Sequence, residues 1–298
     1  MKSNKYPDTA TYIPGIRPVH PWEYLMKRTY ILFVLAFYLY RYYSHLLPHQ
    51  LHGASMTKIL YYPELHLYKF LHLDEWLIEH PLMSIFYSIV LIVVPILLFI
   101  SPKNRFLSIS FIFLQILYHT SCIASMTHAV HFWMGVILLS WIFLPRKEKT
   151  FDVVWEGLRY AICIAYVSAF LWKIINGAFF QLDFGEAVFK QNLTTYYFLY
   201  PDSFMHSVYA FFLENPYLLN IGTYISFLLE GAFVIGFFSK KYDTFLIISI
   251  LLLHHFLYLF VDTLFIEWYI LILPFIGMKT WTNLNRRFPI LNHTFRTK

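Results

Sequence analysis

Apolar positions fall along this chain in long unbroken runs, not in the alternation of a half-buried strand or the one-sided stripe of a surface helix. Runs approaching the roughly 20 residues that cross a bilayer are predicted near Tyr24 to Ser44, Met83 to Ser101, Phe106 to Met126 and His128 to Leu144. Four more follow near Leu158 to Ala178, Leu218 to Phe238, Tyr242 to Val261 and Leu264 to Met278, the last of them short. The pattern predicts an all-α polytopic membrane helix bundle of about eight spans, forming one transmembrane domain over residues 1–298. Between the spans, His45 to Leu82 and Phe179 to Tyr217 are too apolar for solvated loops. Leu65, Tyr68, Phe70, Leu71 and Trp76 suggest a short interfacial helix, and Phe204 to Leu213 a second interfacial or re-entrant one.

Charge gives this pattern a direction. With a cytoplasmic N-terminus, 18 of the 23 Lys and Arg residues fall on the cytoplasmic side, leaving Lys58, Lys69, Lys190, Arg41 and Lys173 elsewhere. That asymmetry predicts both termini inside and an even number of spans. The polar stretch from Lys2 to His20 has no apolar region directly after its charges, so the first span is expected to serve as targeting signal. Composition agrees, with 58% apolar and only 13% charged residues, which makes lipid the main solvent. The formal charge of +6 sits in short clusters between apolar runs, which argues against a nucleic-acid partner. Cys122 and Cys163 both fall within spans, so no disulfide framework or CxxC centre is expected. No Gly-rich phosphate loop occurs, which argues against a nucleotide-driven pump. Asn192-Leu193-Thr194 is a glycosylation sequon on the outer side.

The polar groups inside the spans gather in the outer leaflet. His119 lies near the outer end of the third span. His128 and His131, three residues apart, share a face of the fourth. His254 and His255 lie in the outer half of the seventh, with Asp262 at its outer end. Ionisable groups at such depth are costly and mark a polar pocket, to which His255, His119, Asp262 and Glu230 of the sixth span are assigned as substrate-binding groups. Lys173 stands in the outer third of the fifth span, and Arg159, Tyr166 and Lys173 repeat every seven residues as one polar stripe. Desolvation disfavours an ammonium, so Lys173 can present a neutral amine able to remove a proton; snorkelling to headgroups is its non-functional alternative. The aromatic residues suit lipid contact, packing or a flat hydrophobic ligand such as a quinone. His128-x-x-His131 with His119 or His255 could hold zinc, but the spacing does not compel it, and no metal is assigned.

The segment LRYAICIAYVSAFLWKIINGAFFQLDFGEAV, with Leu158, Arg159, Tyr166, Lys173, Gly185 and Ala187, resembles the most characteristic stretch of the HTTM (horizontally transferred transmembrane) family, the membrane domain shared with vitamin K-dependent gamma-carboxylases. HAVHFWMGVILL, FLLEGAFVIGFF and LLLHHFLYLF are similar in kind to neighbouring spans of that family. The resemblance implies Lys173 as the base that deprotonates reduced vitamin K or menaquinol, with Tyr166 beside it and His128 or His131 as supporting acid or hydrogen-bond donor. Where the family has tryptophan before the Gly-x-Ala segment, this chain has Leu182 near that place. The large outer domain with which a carboxylase holds its protein substrate has no counterpart among the 298 residues. A quinol or other lipid-soluble substrate is therefore expected, with the lipid bilayer and a separate substrate or partner protein as the other partners. Family habit points to a bacterial inner membrane with the pocket facing the periplasm. A non-catalytic ligand-binding or immunity-type membrane protein, or a small carrier, is the alternative.

Overall fold

The computed structural model describes residues 18–51, 63–125, 133–191, 197–198, 200–261 and 266–292. Every regular element among them is helical. In chain order the α-helices are α1 (Glu23–Tyr43), α2 (Pro63–Phe70), α3 (Pro81–Ile100), α4 (Arg105–Ser125), α5 (Leu138–Ser140), α6 (Glu148–Ile175), α7 (Phe184–Gln191), α8 (Phe204–Glu214), α9 (Pro216–Gly231), α10 (Asp243–Val261) and α11 (Met278–Arg287). Contacts divide the chain into two compact units, Met1–Leu158 with Met278–Lys298, and Arg159–Gly277.

Among the described residues, four helical stretches are long and apolar enough to cross a membrane: Pro81–Ile100, Arg105–Ala124, Glu148–Ile175 and Pro216–Phe237. They correspond to the second, third, fifth and sixth expected spans. The other four differ for local reasons. α1 has 21 residues but carries Glu23, Lys27, Arg28 and Arg41, all of them buried. The fourth stretch begins outside the described residues and continues as a π-turn from Trp133, the short α5 and a 3₁₀ turn to Phe143. α10 is apolar, and the eighth stretch is a ten-residue 3₁₀ helix, Ile266–Phe275, with Pro274 inside it. A proline removes a backbone donor and clashes with the preceding turn, which favours the tighter winding. Among the described residues, four of the eight expected spans thus meet the length and apolarity of a membrane crossing.

In the first unit, charged groups at the start of α1 are enclosed and hydrogen-bonded. Lys27 donates to Glu23 at 2.7 Å and lies 5.6 Å from the ring centres of both Phe143 and Phe151. Arg28 donates to the carbonyls of Phe99, Ile290 and Leu291, tying α1 to the end of α3 and to the Pro289–Asn292 turn. Asp152 accepts from the backbone N–H groups of Val19 and His20. Further along α1, the Tyr38 hydroxyl donates to Gln115 of α4 at 2.7 Å. Each buried polar atom without such a partner would cost about 1–3 kcal/mol, so these bonds fix how α1, α3 and α4 meet.

In the second unit, α7, α8 and α9 share an apolar cluster of Phe189, Tyr209 and Leu219. Gly185 makes the α7–α9 approach possible: a Cβ there would stand 2.6 Å from the Leu219 carbonyl oxygen. α6 ends where Gly177 adopts φ +78°, the left-handed conformation a non-glycine residue resists.

Candidate functional site

The expected Arg159–Tyr166–Lys173 stripe lies in the second unit. Each of its members meets a polar group from α9, from α10 or from the stretch that joins them. A seven-residue step advances about 10.5 Å along α6 and nearly restores the same face, so the three side chains form rungs on one side of the helix.

The first rung is Arg159, whose side chain is only 2% exposed. Its Nη2 donates to Asp243 Oδ1 at 2.6 Å and its Nη1 to the Gly236 carbonyl at 2.7 Å. The carbonyls it takes up belong to the end of a 3₁₀ stretch, Ala232–Phe237, that continues α9. Helix ends leave such carbonyls unpaired, and a guanidinium with several fixed donors suits them. Gly236 lets α6 come close, since a Cβ there would stand 2.5 Å from Cys163 Sγ.

The middle rung joins the Tyr166 hydroxyl to His254 Nε2, 2.9 Å apart and buried. Phe233 stacks on the Tyr166 ring at 4.1 Å between centroids, and Trp268 meets both Tyr166 and His254. The third rung is an ion pair between Lys173 and Glu230. Both side chains are largely enclosed, at 26% and 15% exposure. The Lys173 ammonium also lies 5.2 Å from the Phe227 ring centre, a cation–π distance. Phe179 packs against Phe170, Tyr224 and Phe227, and Phe184 against Phe227, so the pair sits beside a group of aromatic rings.

Tyr166, Lys173 and Glu230 are therefore brought into one unit as two of the three rungs. His255 is in the same unit but on an exposed face, where its Nδ1 lies 2.8 Å from the Leu251 carbonyl oxygen and 3.2 Å from the Tyr269 hydroxyl. His119 is buried in α4 of the first unit. His128, His131 and Asp262 lie outside the described residues, as does the Asn192 sequon. Among the described residues, no three His, Cys, Asp or Glu side chains assemble into a group that could hold a metal ion.

His254 is the member that sequence reasoning passed over in favour of its neighbour. The signal for it is the buried stripe of α10. Leu246, Ile250 and Leu253 are all buried, and His254 falls eight residues after Leu246 on that same face. His255 is turned about 100° further round. The Asp243 partner of Arg159 was also missed, because it sits at the very start of α10 in a stretch that reads as a surface turn.

No family model matches the chain, and no curated protein or solved structure matches it.

Proposed function

We propose that this is an integral membrane protein of the HTTM type whose Lys173–Glu230 pair exchanges protons with a lipid-soluble hydroxyl compound, in first place a quinol. The observation that carries this reading is the pairing of an amine and a carboxyl group beside a cluster of aromatic rings. Such a pair holds one proton between its two groups in either the charged or the neutral form, and in a low-dielectric site these forms lie closer in energy than in water. It can therefore accept a second proton. Removal of a proton from a substrate hydroxyl leaves an ammonium, a carboxylic acid and a substrate oxyanion, with total charge unchanged and the cation beside the new anion. This charge stabilisation is what a buried lysine supplies to acid–base chemistry.

The rings of Phe179, Tyr224 and Phe227 suit a flat aromatic head. Trp172, Ile175 and Leu182, exposed at this end of α6, suit an apolar tail. The positive-inside asymmetry supports both termini in the cytoplasm and this end of α6 toward the opposite face, which would be periplasmic in a bacterial inner membrane. A second reading, a ligand-binding protein or carrier, is favoured by one observation: all three rungs are satisfied by their own partners, as structural polar contacts between membrane helices often are.

The test is oxygen-dependent consumption of reduced vitamin K or menaquinol by the purified protein in detergent, with the product separated by chromatography. Lys173→Ala and Glu230→Gln variants of matched thermal stability serve as comparisons. The native chain is expected to form the epoxide, and Lys173→Ala to form it at least about 100-fold more slowly, the lower range for loss of a general base. Turnover that is equal in native and variant chains, or absent from both, overturns the reading. Substrate-dependent flux across proteoliposomes would then identify a carrier.

A further inference from the structure

A cavity of about 450 Å³ opens in the first unit between the start of α4 and the segment following α5, lined by Lys103, Arg105, Ser108, Ile109, Phe143, Leu144, Pro145 and Arg146. Its size lies within the roughly 300–1,000 Å³ usual for ligand sites. Two kinds of surface meet there. Ile109 and Leu144 are about half exposed beside the buried Phe143, giving an apolar wall, while Lys103, Arg105 and Arg146 supply three cationic side chains.

Among the described residues, the charge around this cavity is only partly balanced. Glu23 lies 3.3 Å from Lys103, but the same carboxylate also pairs with Lys27. Burial works against the Lys103 ammonium, yet Glu23 and Tyr24 outweigh it and raise its pKa above the ordinary 10.5. Lys103 is thus a fixed positive charge at neutral pH. Among the described residues, no carboxylate lies within ion-pair distance of Arg105 or Arg146. Like charges gathered around one cavity repel, and an anion placed between them removes that cost. An arginine pair suits phosphate oxygens, which it can meet with several parallel N–H donors.

We propose that this cavity binds the headgroup phosphate of an anionic phospholipid, with Arg105 and Arg146 on the phosphate and an acyl chain along Ile109 and Leu144. The apolar wall selects a lipid over inorganic phosphate, because a free anion would leave Ile109 and Leu144 uncovered. The site is independent of the chemistry assigned to Lys173 and lies in the other unit.

The experiment measures lipid binding to the full chain in detergent by native mass spectrometry and thermal shift, using phosphatidylglycerol, phosphatidylcholine and inorganic phosphate as probes. The variants are Arg105→Gln/Arg146→Gln and, as a charge-matched comparison, Lys240→Gln/Lys241→Gln. Phosphatidylglycerol is expected to bind and stabilise the native chain, with phosphatidylcholine and inorganic phosphate much weaker. At roughly fivefold per basic residue, the arginine double variant should bind phosphatidylglycerol about 25-fold more weakly, and the lysine variant should bind like the native chain. Equal binding of the two phospholipids, equal stabilisation by inorganic phosphate, or equal losses in the two double variants would each overturn the proposal.

Discussion

The Tyr166–His254 contact concentrates a general cost of membrane helices in one place. Two polar atoms face each other in a shell of Phe233 and Trp268, where water cannot replace a lost partner. Tyr166→Phe keeps the ring and its stacking but removes the hydroxyl, and is expected to lower stability by about 1–3 kcal/mol. His254→Leu should do the same from the other side. If the hydrogen bond is the cause, the double variant loses clearly less than the two single losses combined, as measured by thermal unfolding in detergent. Additive losses would mean that each residue acts through its own packing. At this scale the sequence was informative about α6 and less so about its partners. The seven-residue stripe could be read from α6 alone, whereas the choice between His254 and His255 depends on which face of α10 is covered.

The helices themselves are set by small residues where chains approach. Gly236 lies in the 3₁₀ stretch Ala232–Phe237, with Cys163 on one side and the Arg159 guanidinium on its carbonyl. A methyl group there has no room, so Gly236→Ala is expected to destabilise the chain by about 1–3 kcal/mol, the usual cost of overpacking. Gly222 has open space around its Cβ position. Gly222→Ala should therefore be neutral or stabilising, and equal effects of the two substitutions on thermal unfolding would contradict this account. Long apolar helices such as α3 and α4 were legible because an unbroken run of about 20 apolar residues has few other uses. The 3₁₀ winding of Ile266–Phe275 was not, since apolarity alone does not distinguish the two forms of helix. α7 was also not anticipated, because its eight residues mix charged and apolar side chains and owe their order to contact with α9.

On the scale of the whole chain, the clearest expectation is topological. Lys103 and Lys241 stand in segments assigned to the cytoplasmic side, and Lys190 in a segment assigned to the opposite side. Single cysteines placed at these positions should separate accordingly. Lys190→Cys should react with a membrane-impermeant maleimide in intact cells, while Lys103→Cys and Lys241→Cys should react only after lysis. Cys122 and Cys163 are buried, which keeps the background low. The reverse pattern would invert the orientation and move the Lys173 end of α6 to the cytoplasmic face. Arg28 and Lys27 belong to the positive count that sets this expectation, yet both are enclosed by the fold. Counting charges thus predicted a side of the membrane without revealing which charges would be exposed there.

The stretch Ala232–Phe237 also fixes a phase angle. Six residues wound as a 3₁₀ helix turn about 120° more, and extend about 3 Å further, than the same six wound as an α-helix. Glu230 lies on one side of this stretch and the Arg159-bound carbonyls of Gly236 and Ser239 at its other end. Rewinding it would rotate Glu230 by about a third of a turn relative to that anchor. The meeting of Glu230 with Lys173 is in this sense a question of gearing, set by the pitch of six residues that belong to neither.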